Sequence, residues 1–387
     1  MMSTQRRSML CRIAVVAIAL GVIAMPRPAS GSTEPWGIDP EWSSPAPDEA
    51  RVLAADGSGV IAVGRGGEVQ SLDTSGRQQW GNDLGQVTTI DPVAVDANLV
   101  VVPVNYETFV ALDRATGAPR WTHRAPRAHE ASIGVDASAH LIVATISSTG
   151  RLELLDGSTG AVRWSAVLPP DDDTFAQRSW IVASRVVAAW GGASALHIRA
   201  FDAVDGRLVW SRDAAKTSTL PAVNSSSVVL AENTKFIGKR RVIARVRSLD
   251  VNTGTERWSR RVRGPFWPHF ETAADDVDVA VVGEEGRVTL LDAATGRVRW
   301  RQATKRLQLE VSPRLFGEVV AITTYGTGLA ALARADGSLL ANSQPGPVQY
   351  SVTIEASAAA GDRLYLLVQG SEGQAQVWAL GPLVASS

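Results

Sequence analysis

The residues best suited to bind a ligand lie in two connections of the chain. The first contains Asp171, Asp172 and Asp173, followed by Arg178 and Trp180. Three carboxylates in a row could attract calcium, but adjacent side chains diverge, and the spaced oxygen ligands of a calcium loop are missing. A solvated acidic loop is therefore the favoured interpretation, and Arg178 and Trp180 are kept as candidate ligand contacts.

The second connection is the most aromatic of the chain, Phe266–Phe270, with the sequence Phe-Trp-Pro-His-Phe. Its Trp267 and His269 are candidate contacts for a peptide or a glycan, because aromatic side chains combine a large apolar face with a polar edge. Burial at a junction between structural repeats is the alternative, and it is the favoured one.

The histidines show no spacing typical of a metal site. They are His123, His129, His140, His197 and His269. Each is expected to be a surface or structural residue. His129 with Glu130 and His269 with Glu271 occupy comparable places in the chain, so their convergence in a central funnel remains an alternative. No nucleophile elbow or phosphate-binding loop is present, and no catalytic or metal-binding residue is predicted.

These residues are set in a repeat that ends with Leu-Asp-x-x-Thr-Gly-x-x-x-Trp. Seven segments align on one glycine, at intervals of 41 to 48 residues. Six of them supply Asp73, Gly76 and Trp80; Asp113, Gly117 and Trp121; Asp156, Gly160 and Trp164; Asp202, Gly206 and Trp210; Asp250, Gly254 and Trp258; and Asp292, Gly296 and Trp300. The seventh, at Gly337, has Ala333 and Ala341 in place of the aspartate and the tryptophan.

Each repeat contains about four short β-rich runs separated by glycine turns, without helical periodicity. A four-stranded unit of this length predicts an all-β fold, a β-propeller of four-stranded antiparallel blades. Two or three strands follow the seventh motif, and residues 36–44 resemble a missing outer strand. We therefore expect eight blades, the last completed by residues 36–44, with seven blades as the alternative.

The motif residues are predicted to have structural roles. An aspartate at the turn entry accepts hydrogen bonds from backbone N–H groups, and the glycine allows a positive φ. The tryptophan of the outer strand can pack on a neighbouring blade. A repeated group at six equivalent edges is typical of turn and packing chemistry rather than of one active site.

The N-terminus is predicted to direct export. Arg6, Arg7 and Arg12 precede an apolar run, Ile13–Met25, and small residues follow it. This order is typical of a signal peptide, here residues 1–31, and the run is short for a membrane span. An uncleaved anchor is the alternative. Cys11 would leave with the signal, so the mature chain is expected to contain no thiol and no lipid anchor.

The remaining residues are predicted to form one propeller domain, 32–383, followed by a tail, 384–387. The net charge of −1 and the pI of about 6.5 do not favour nucleic acid as a partner. We expect a soluble, exported monomer, located in the periplasm or outside the cell.

The motifs resemble the repeats of the pyrroloquinoline-quinone (PQQ) propeller superfamily, from Trp42 to Leu383. One branch of that superfamily contains quinoprotein dehydrogenases, which bind PQQ and calcium in the central funnel and oxidise alcohols or sugars. Its shorter members, similar to the propeller lipoprotein of the outer-membrane β-barrel assembly machinery, bind protein partners without a cofactor.

This chain departs from the dehydrogenase branch in several respects. Its single cysteine, Cys11, excludes a vicinal cysteine pair, and its blades follow one another without the insertions that build a cofactor pocket. The resemblance therefore implies a non-catalytic scaffold that binds a protein, peptide or envelope polymer, with no cofactor. The alternative is an oxidoreductase that depends on PQQ and calcium.

Overall fold

The computed structural model describes most of the chain after residue 39. The predicted signal peptide, residues 36–39 and the predicted tail lie outside the described residues. Two units separate along the chain, Met1–Thr33 and Glu34–Ser387, and all described residues belong to the second. The described ranges are 40–85, 93–105, 108–124, 133–138, 141–146, 150–168, 176–191, 195–215, 220–237, 241–265, 270–283, 286–304, 311–324, 328–343, 352–370 and 374–381.

These ranges contain strands and turns, and none of their residues lies in a helix. Accordingly, no helix within the described part of the chain is long and apolar enough to span a membrane. The N-terminal strand is β1 (Trp42–Pro45), and sixteen further strands follow it up to Ala215. They are β2 (Ala50–Asp56), β3 (Gly59–Gly64), β4 (Glu68–Asp73), β5 (Gln78–Asp83), β6 (Ala94–Val95), β7 (Leu99–Asn105), β8 (Thr108–Asp113), β9 (Pro119–Arg124), β10 (Ile133–Ser138), β11 (Leu141–Ile146), β12 (Arg151–Asp156), β13 (Val162–Val167), β14 (Ala176–Val182), β15 (Arg185–Gly191), β16 (Ala195–Asp202) and β17 (Leu208–Ala215).

The second half of the chain continues the same pattern. Its strands are β18 (Ala222–Val223), β19 (Ser227–Ile237), β20 (Arg241–Asp250), β21 (Glu256–Pro265), β22 (Phe270–Ala274), β23 (Asp278–Gly283), β24 (Arg287–Asp292), β25 (Val298–Ala303), β26 (Val311–Phe316), β27 (Val319–Thr324), β28 (Gly328–Ala333), β29 (Leu339–Ser343), β30 (Val352–Ala360), β31 (Arg363–Gly370) and β32 (Ala375–Leu380).

Among the described residues these strands form eight four-stranded antiparallel sheets. Seven sheets are runs of four consecutive strands, from β2–β5 to β26–β29, and the eighth has the order β1-β32-β31-β30. The predicted all-β propeller of four-stranded blades is confirmed. Seven blades would account for the seven sheets of consecutive strands but not for the sheet of β1, β32, β31 and β30.

The N-terminal strand β1 closes the ring as the outermost strand of the last blade. It pairs antiparallel with β32, with Trp42 opposite Ala379 and Pro45 opposite Gln376. The observed strand comprises residues 42–45, whereas the predicted closing segment was 36–44. Within that segment the structure describes residues from Pro40 onward, and the strand begins at Trp42. Because β1 occupies the free edge of β32, that edge is not available for pairing with another chain.

The inner strands of each blade are buried on both faces because a neighbouring blade covers each face. In β3 and β23 every residue is buried. Near-continuous apolar runs, rather than strict alternation, are expected where a sheet is covered on both sides. The outer strands alternate more strongly, as in β13, where Trp164 is buried between exposed residues.

At seven of the eight junctions between the described blades, a tryptophan of one blade contacts the next blade. Each indole N–H donates a hydrogen bond of 2.7 to 3.1 Å to a backbone carbonyl in the next blade. The donors and acceptors are Trp42 and Thr74, Trp80 and Arg114, Trp121 and Gly157, Trp164 and Ala203, Trp210 and Val251, Trp258 and Ala293, and Trp300 and Arg334. The same rings cover the motif glycines of the next blade, where an added Cβ would come within 2.5 to 2.7 Å of the indole.

The junction after the seventh blade is built differently. Its outer strand β29 has Ala341 at the tryptophan position. Leu340 and Ala341 pack there against a cluster that includes Trp378 of the last blade. Small and aliphatic side chains therefore fill this junction in place of an indole.

The motif aspartates organise their turns. In the second repeat, Asp113 Oδ1 accepts hydrogen bonds from the backbone N–H groups of Ala115 and Thr116, at 3.0 and 2.8 Å. The Arg120 guanidinium contacts the other carboxylate oxygen, and its hydrogen bond is the first reason why the pKa of Asp113 falls to about 2. The glycine of this turn, Gly117, has a φ of 73°, which a residue with a side chain rarely adopts.

Candidate functional site

The innermost strands of the blades line the centre of the propeller. Neighbouring innermost strands contact one another, as β2 does with β30 and β22 with β26. In a propeller these strands surround the central channel. Charged side chains on these strands are therefore candidates for contact with a ligand.

One charged pair joins the first blade to the last. Arg51 of β2 forms an ion pair with Glu355 of β30. The Glu355 side chain is only 7% exposed, whereas Arg51 retains 32%. The pair thus cross-links the two blades at the ring closure, and part of the arginine remains accessible to solvent.

A second group of charges comes from three other innermost strands. Arg178 lies on β14, Glu271 on β22 and Arg314 on β26. Both arginines act electrostatically on the Glu271 carboxylate, and Arg178 also acts on Arg314. We call Arg178, Glu271 and Arg314 the channel triad.

Burial dominates the ionisation of the triad. It raises the pKa of Glu271 to about 7, although Arg314 and Arg178 oppose this rise. It also lowers the pKa of Arg314 to about 10, and repulsion from Arg178 acts in the same direction. Glu271 and Arg314 nevertheless keep intermediate solvent exposure.

Arg178 is held over an aromatic ring. Its guanidinium carbon lies 5.6 Å from the centroid of the Trp180 ring, two residues further along β14. Such a cation–π contact restricts the orientation of the arginine. The structure places this predicted pair on an innermost strand, with Arg178 exposed and Trp180 partly buried.

Several other predicted site residues lie outside the described residues. They are Asp171–Asp173, Trp267, His269, His129, Glu130 and His140. Of the pair formed by His269 and Glu271, the structure therefore describes only Glu271.

Two histidines are described, and both have structural partners. His123 Nε2 lies 2.8 Å from Glu153 Oε2 in the next blade, and His197 Nδ1 lies 2.7 Å from Asp213 Oδ1 on the adjacent strand. They belong to strands β9 and β16, outside the innermost set. This placement agrees with the structural role expected from their sequence spacing.

Sequence reasoning missed Arg51, Arg314 and Glu355. Each is a charged residue in a short apolar strand that directly precedes a fully or largely buried strand. That local pattern was the available signal, but it recurs in many strands and does not show which blades face one another.

The described residues do not fit calcium and PQQ well. No three His, Cys, Asp or Glu side chains in the described part of the chain are grouped to hold a metal ion. The carboxylates whose side chains are described on the innermost strands, Asp56, Glu271 and Glu355, each lie beside an arginine. A divalent cation would meet repulsion there, whereas a calcium site requires several converging oxygen ligands.

Comparison with known proteins identifies the family. Residues 28–189, 130–266 and 242–381 match the family described as outer membrane protein assembly factor BamB. No curated protein matches the sequence as a relative.

Solved structures show the same fold. BamB from Moraxella catarrhalis is 18% identical with a TM-score of 0.61, over 89% of this chain and 100% of that one. The computationally designed Ika8 protein is 14% identical with a TM-score of 0.65, over 87% of this chain and 98% of that one. Quinohemoprotein alcohol dehydrogenase from Comamonas testosteroni is 12% identical with a TM-score of 0.60, over 90% of this chain and 77% of that one.

At these identities the structural likeness demonstrates the fold alone, and the matched structures include BamB, a designed protein and an alcohol dehydrogenase. The family match is more specific, since its three segments together extend over most of the chain. The chain therefore belongs to the family of the outer membrane protein assembly factor BamB, a β-propeller family of the PQQ-like superfamily.

Proposed function

We propose that this chain is an exported, non-catalytic propeller scaffold that binds a protein, a peptide or an envelope polymer. The observation that carries the proposal is that many of its described charged groups contact one another or the backbone of their own turns. Motif aspartates such as Asp113 accept hydrogen bonds within their turns, and the described carboxylates of the innermost strands lie beside arginines. These groups organise the fold and offer recognition chemistry, but they do not form a metal-assisted active site.

The family match supports a protein as the partner. The family is named for the assembly of outer membrane proteins. By this likeness, the ligand of the present chain is a polypeptide met in the cell envelope, and the propeller acts in the periplasm without a cofactor.

The partner should contact the channel mouth near Arg178 and Trp180. Trp180 can be replaced by a photoreactive phenylalanine, which keeps an aromatic ring at this position. The matched control places the same photoreactive phenylalanine at Val204, which is 84% exposed. Val204 lies in the turn between β16 and β17, at the outer side of the blade that contains β14. We expect a discrete adduct in envelope preparations from position 180 but not from position 204. Equal labelling at both positions, or no adduct at 180, would contradict binding at the channel.

One observation favours the alternative, an oxidoreductase that depends on PQQ and calcium. Glu271 has a pKa raised by burial to about 7, a value suited to a general base at neutral pH. The arginines beside it oppose a neighbouring cation, so this carboxyl group is better placed to respond to an anion.

The two functions are separated by reconstitution. The purified mature chain is mixed with PQQ and calcium, and quinone absorbance and dye-linked oxidation of alcohols and sugars are recorded. The scaffold predicts neither stoichiometric quinone nor oxidation above that of the Glu271→Gln variant. Stoichiometric quinone together with oxidation that this substitution abolishes would establish the enzyme instead.

A further inference from the structure

The outer strand of the fifth blade differs from the other described outer strands in length and in charge. The blade consists of β18 to β21, and β21 comprises 10 residues, whereas the other outer strands comprise 4 to 8. Residues 220–265, which include this blade, contain ten lysines and arginines but three acidic residues, although the whole chain has a net charge of −1. Positive charge is therefore concentrated in one blade.

Two glutamates neutralise the arginines described on β20. Glu256 Oε1 lies 3.1 Å from Arg245 Nη2, and Glu256 Oε2 lies 2.9 Å from Arg247 Nε. Glu232 of β19 also pairs with Arg247, at 3.2 Å. These carboxylates are thus occupied by β20.

The exposed arginines of β21 have no carboxylate partner among the described residues. Arg257 donates a hydrogen bond of 2.9 Å to the Ser226 hydroxyl. Arg260 donates one of 2.8 Å to the Gly296 carbonyl in the next blade. Both acceptors are neutral, and in the described part of the chain no ion pair involves Arg257, Arg260 or Arg261. Three positive charges are thus uncompensated along one short stretch of β21.

Arg261 occupies a position where its charge is unfavourable for the fold. It lies directly opposite Arg245 in the ladder between β20 and β21. Like charges that face each other on neighbouring strands destabilise a sheet. Since Glu256 pairs with Arg245, Arg261 gains no compensating contact from it. A negatively charged ligand would relieve this repulsion.

The outer edge of β21 also exposes backbone groups. β21 is the last strand in the order of its sheet, so no described strand pairs with this edge. A free edge presents N–H donors and C=O acceptors along its length, and another peptide strand matches both. An anionic phosphate group matches the N–H donors but repels the C=O oxygens. The edge therefore favours a polypeptide over a phosphate-rich surface.

We propose that the outer edge of β21 binds an acidic, extended polypeptide segment, which adds to the fifth blade as a fifth strand and places its carboxylates near Arg257, Arg260 and Arg261. The same arginines oppose pairing between the β21 edges of two copies of this chain, because like charges would meet. The inference rests on the proposed function only in treating the chain as a scaffold for a polypeptide, and it adds the chemistry of one partner segment.

A synthetic peptide of repeated Thr-Glu-Val units, long enough to span β21, tests the charge complementarity. In an extended strand its glutamates alternate between the two faces, so carboxylates are available to both Arg260 and Arg261. Fluorescence anisotropy with the mature chain should show saturable binding that weakens by about tenfold between about 0.05 and about 0.5 M salt. A peptide of Thr-Lys-Val units should not bind. Equal binding of the two peptides would overturn the proposal.

Backbone pairing is tested without a change of charge. The acidic peptide N-methylated at its valines keeps every carboxylate but loses N–H donors along both of its edges. It should bind about tenfold more weakly or worse than the unmodified peptide. Equal affinity would mean that the arginines attract the peptide without strand pairing, which would overturn the added strand.

Charge-reversal variants locate the binding edge. Arg261→Glu should weaken binding of the acidic peptide by about tenfold and should permit binding of the basic peptide, a gain that misfolding cannot produce. Arg261→Lys should retain most of the affinity. Arg301→Glu is the matched control, since Arg301 is exposed on the outer strand β25 of the next blade. Equal effects of Arg261→Glu and Arg301→Glu would overturn the assignment to β21.

Vesicles that contain phosphatidylglycerol test a membrane surface as the partner. We expect no cosedimentation of the mature chain with them. Cosedimentation that Arg261→Glu abolishes, without binding of the acidic peptide, would assign the edge to a membrane and overturn the proposal. Failure of both the peptide and the vesicles would overturn β21 as a binding edge. That outcome is separable from failure of the proposed function, because the adduct at position 180 reports on the channel mouth and not on β21.

Discussion

Replacement of Trp42 by alanine tests how the propeller ring is closed. The Trp42 indole donates a hydrogen bond of 2.9 Å to the Thr74 carbonyl and covers Gly76 in the first blade. Its ring centroid also lies 5.9 Å from that of Tyr365 in its own blade. The substitution removes these contacts and leaves β1 held by its short ladder to β32 and by the hydrogen bond from the Ser44 hydroxyl to the Gly76 carbonyl.

The size of the effect can be worked from these contacts. A mostly buried tryptophan removes on the order of 150 Å² of apolar surface from water, worth about 3 to 4 kcal/mol, and the hydrogen bond adds about 1 kcal/mol. Compact unfolded states reduce the burial contribution, so we expect a loss of about 4 kcal/mol of unfolding free energy. For a domain of this length, that corresponds to a decrease in Tm of about 6 °C.

Trp121 provides the matched control. It is also partly buried and donates a hydrogen bond of 2.7 Å to Gly157 while covering Gly160. Its strand β9, however, is held in a hairpin with β8, whereas β1 is joined to the last blade by pairing alone. Trp42→Ala should therefore lower the Tm by more than Trp121→Ala does, because only the former releases a strand.

Differential scanning calorimetry of the mature chain and the two variants measures this difference. A mature chain lacking residues 32–45 should be less stable than either variant, and it should aggregate because the β32 edge becomes exposed. The closure described here would be wrong if this truncated chain melted at the temperature of the intact mature chain. A Tm for Trp42→Ala within about 1 °C of the parent would refute the estimate of its contacts.

Two further predictions concern the repeat turns. Gly254→Ala should lower the unfolding free energy by about 3 kcal/mol, because Gly254 has a φ of 66° and an added Cβ would lie only 2.6 Å from the Trp210 ring. Gly85→Ala is the control, since Gly85 has a φ of 73° and open space around it, and it should cost about 1 kcal/mol. Denaturant titrations measure both values. Equal costs would show that the indole contact adds nothing. Asp113 has a folded pKa of about 2, below its ordinary value near 4, so its contribution to stability is complete above about pH 4 and is lost as the pH falls towards 2. In thermal melts, the Tm of Asp113→Asn should therefore decrease less than the Tm of the parent over that pH range. An equal pH dependence of the Tm in variant and parent would contradict the lowered pKa of Asp113.

The sequence by itself determined the architecture of this protein. A motif such as Asp113 to Trp121 recurs at nearly constant spacing, and each of its residues acts over a short range within one turn or on the next blade. Local chemistry of this kind is preserved in a linear pattern, which is why the four-stranded blades, the turn aspartates and the packing of the tryptophans were all predictable. The closing strand was predictable for the same reason, because Trp42 repeats the pattern of an outer strand.

Only the tertiary structure decided which charges meet in the channel. Arg178, Glu271 and Arg314 have no common motif, and they are far apart in the chain. They approach one another because a closed ring of blades directs its innermost strands at a common axis. The burial that raises the pKa of Glu271 is likewise a property of the assembled ring, so no single blade, and no pattern within one repeat, contains it.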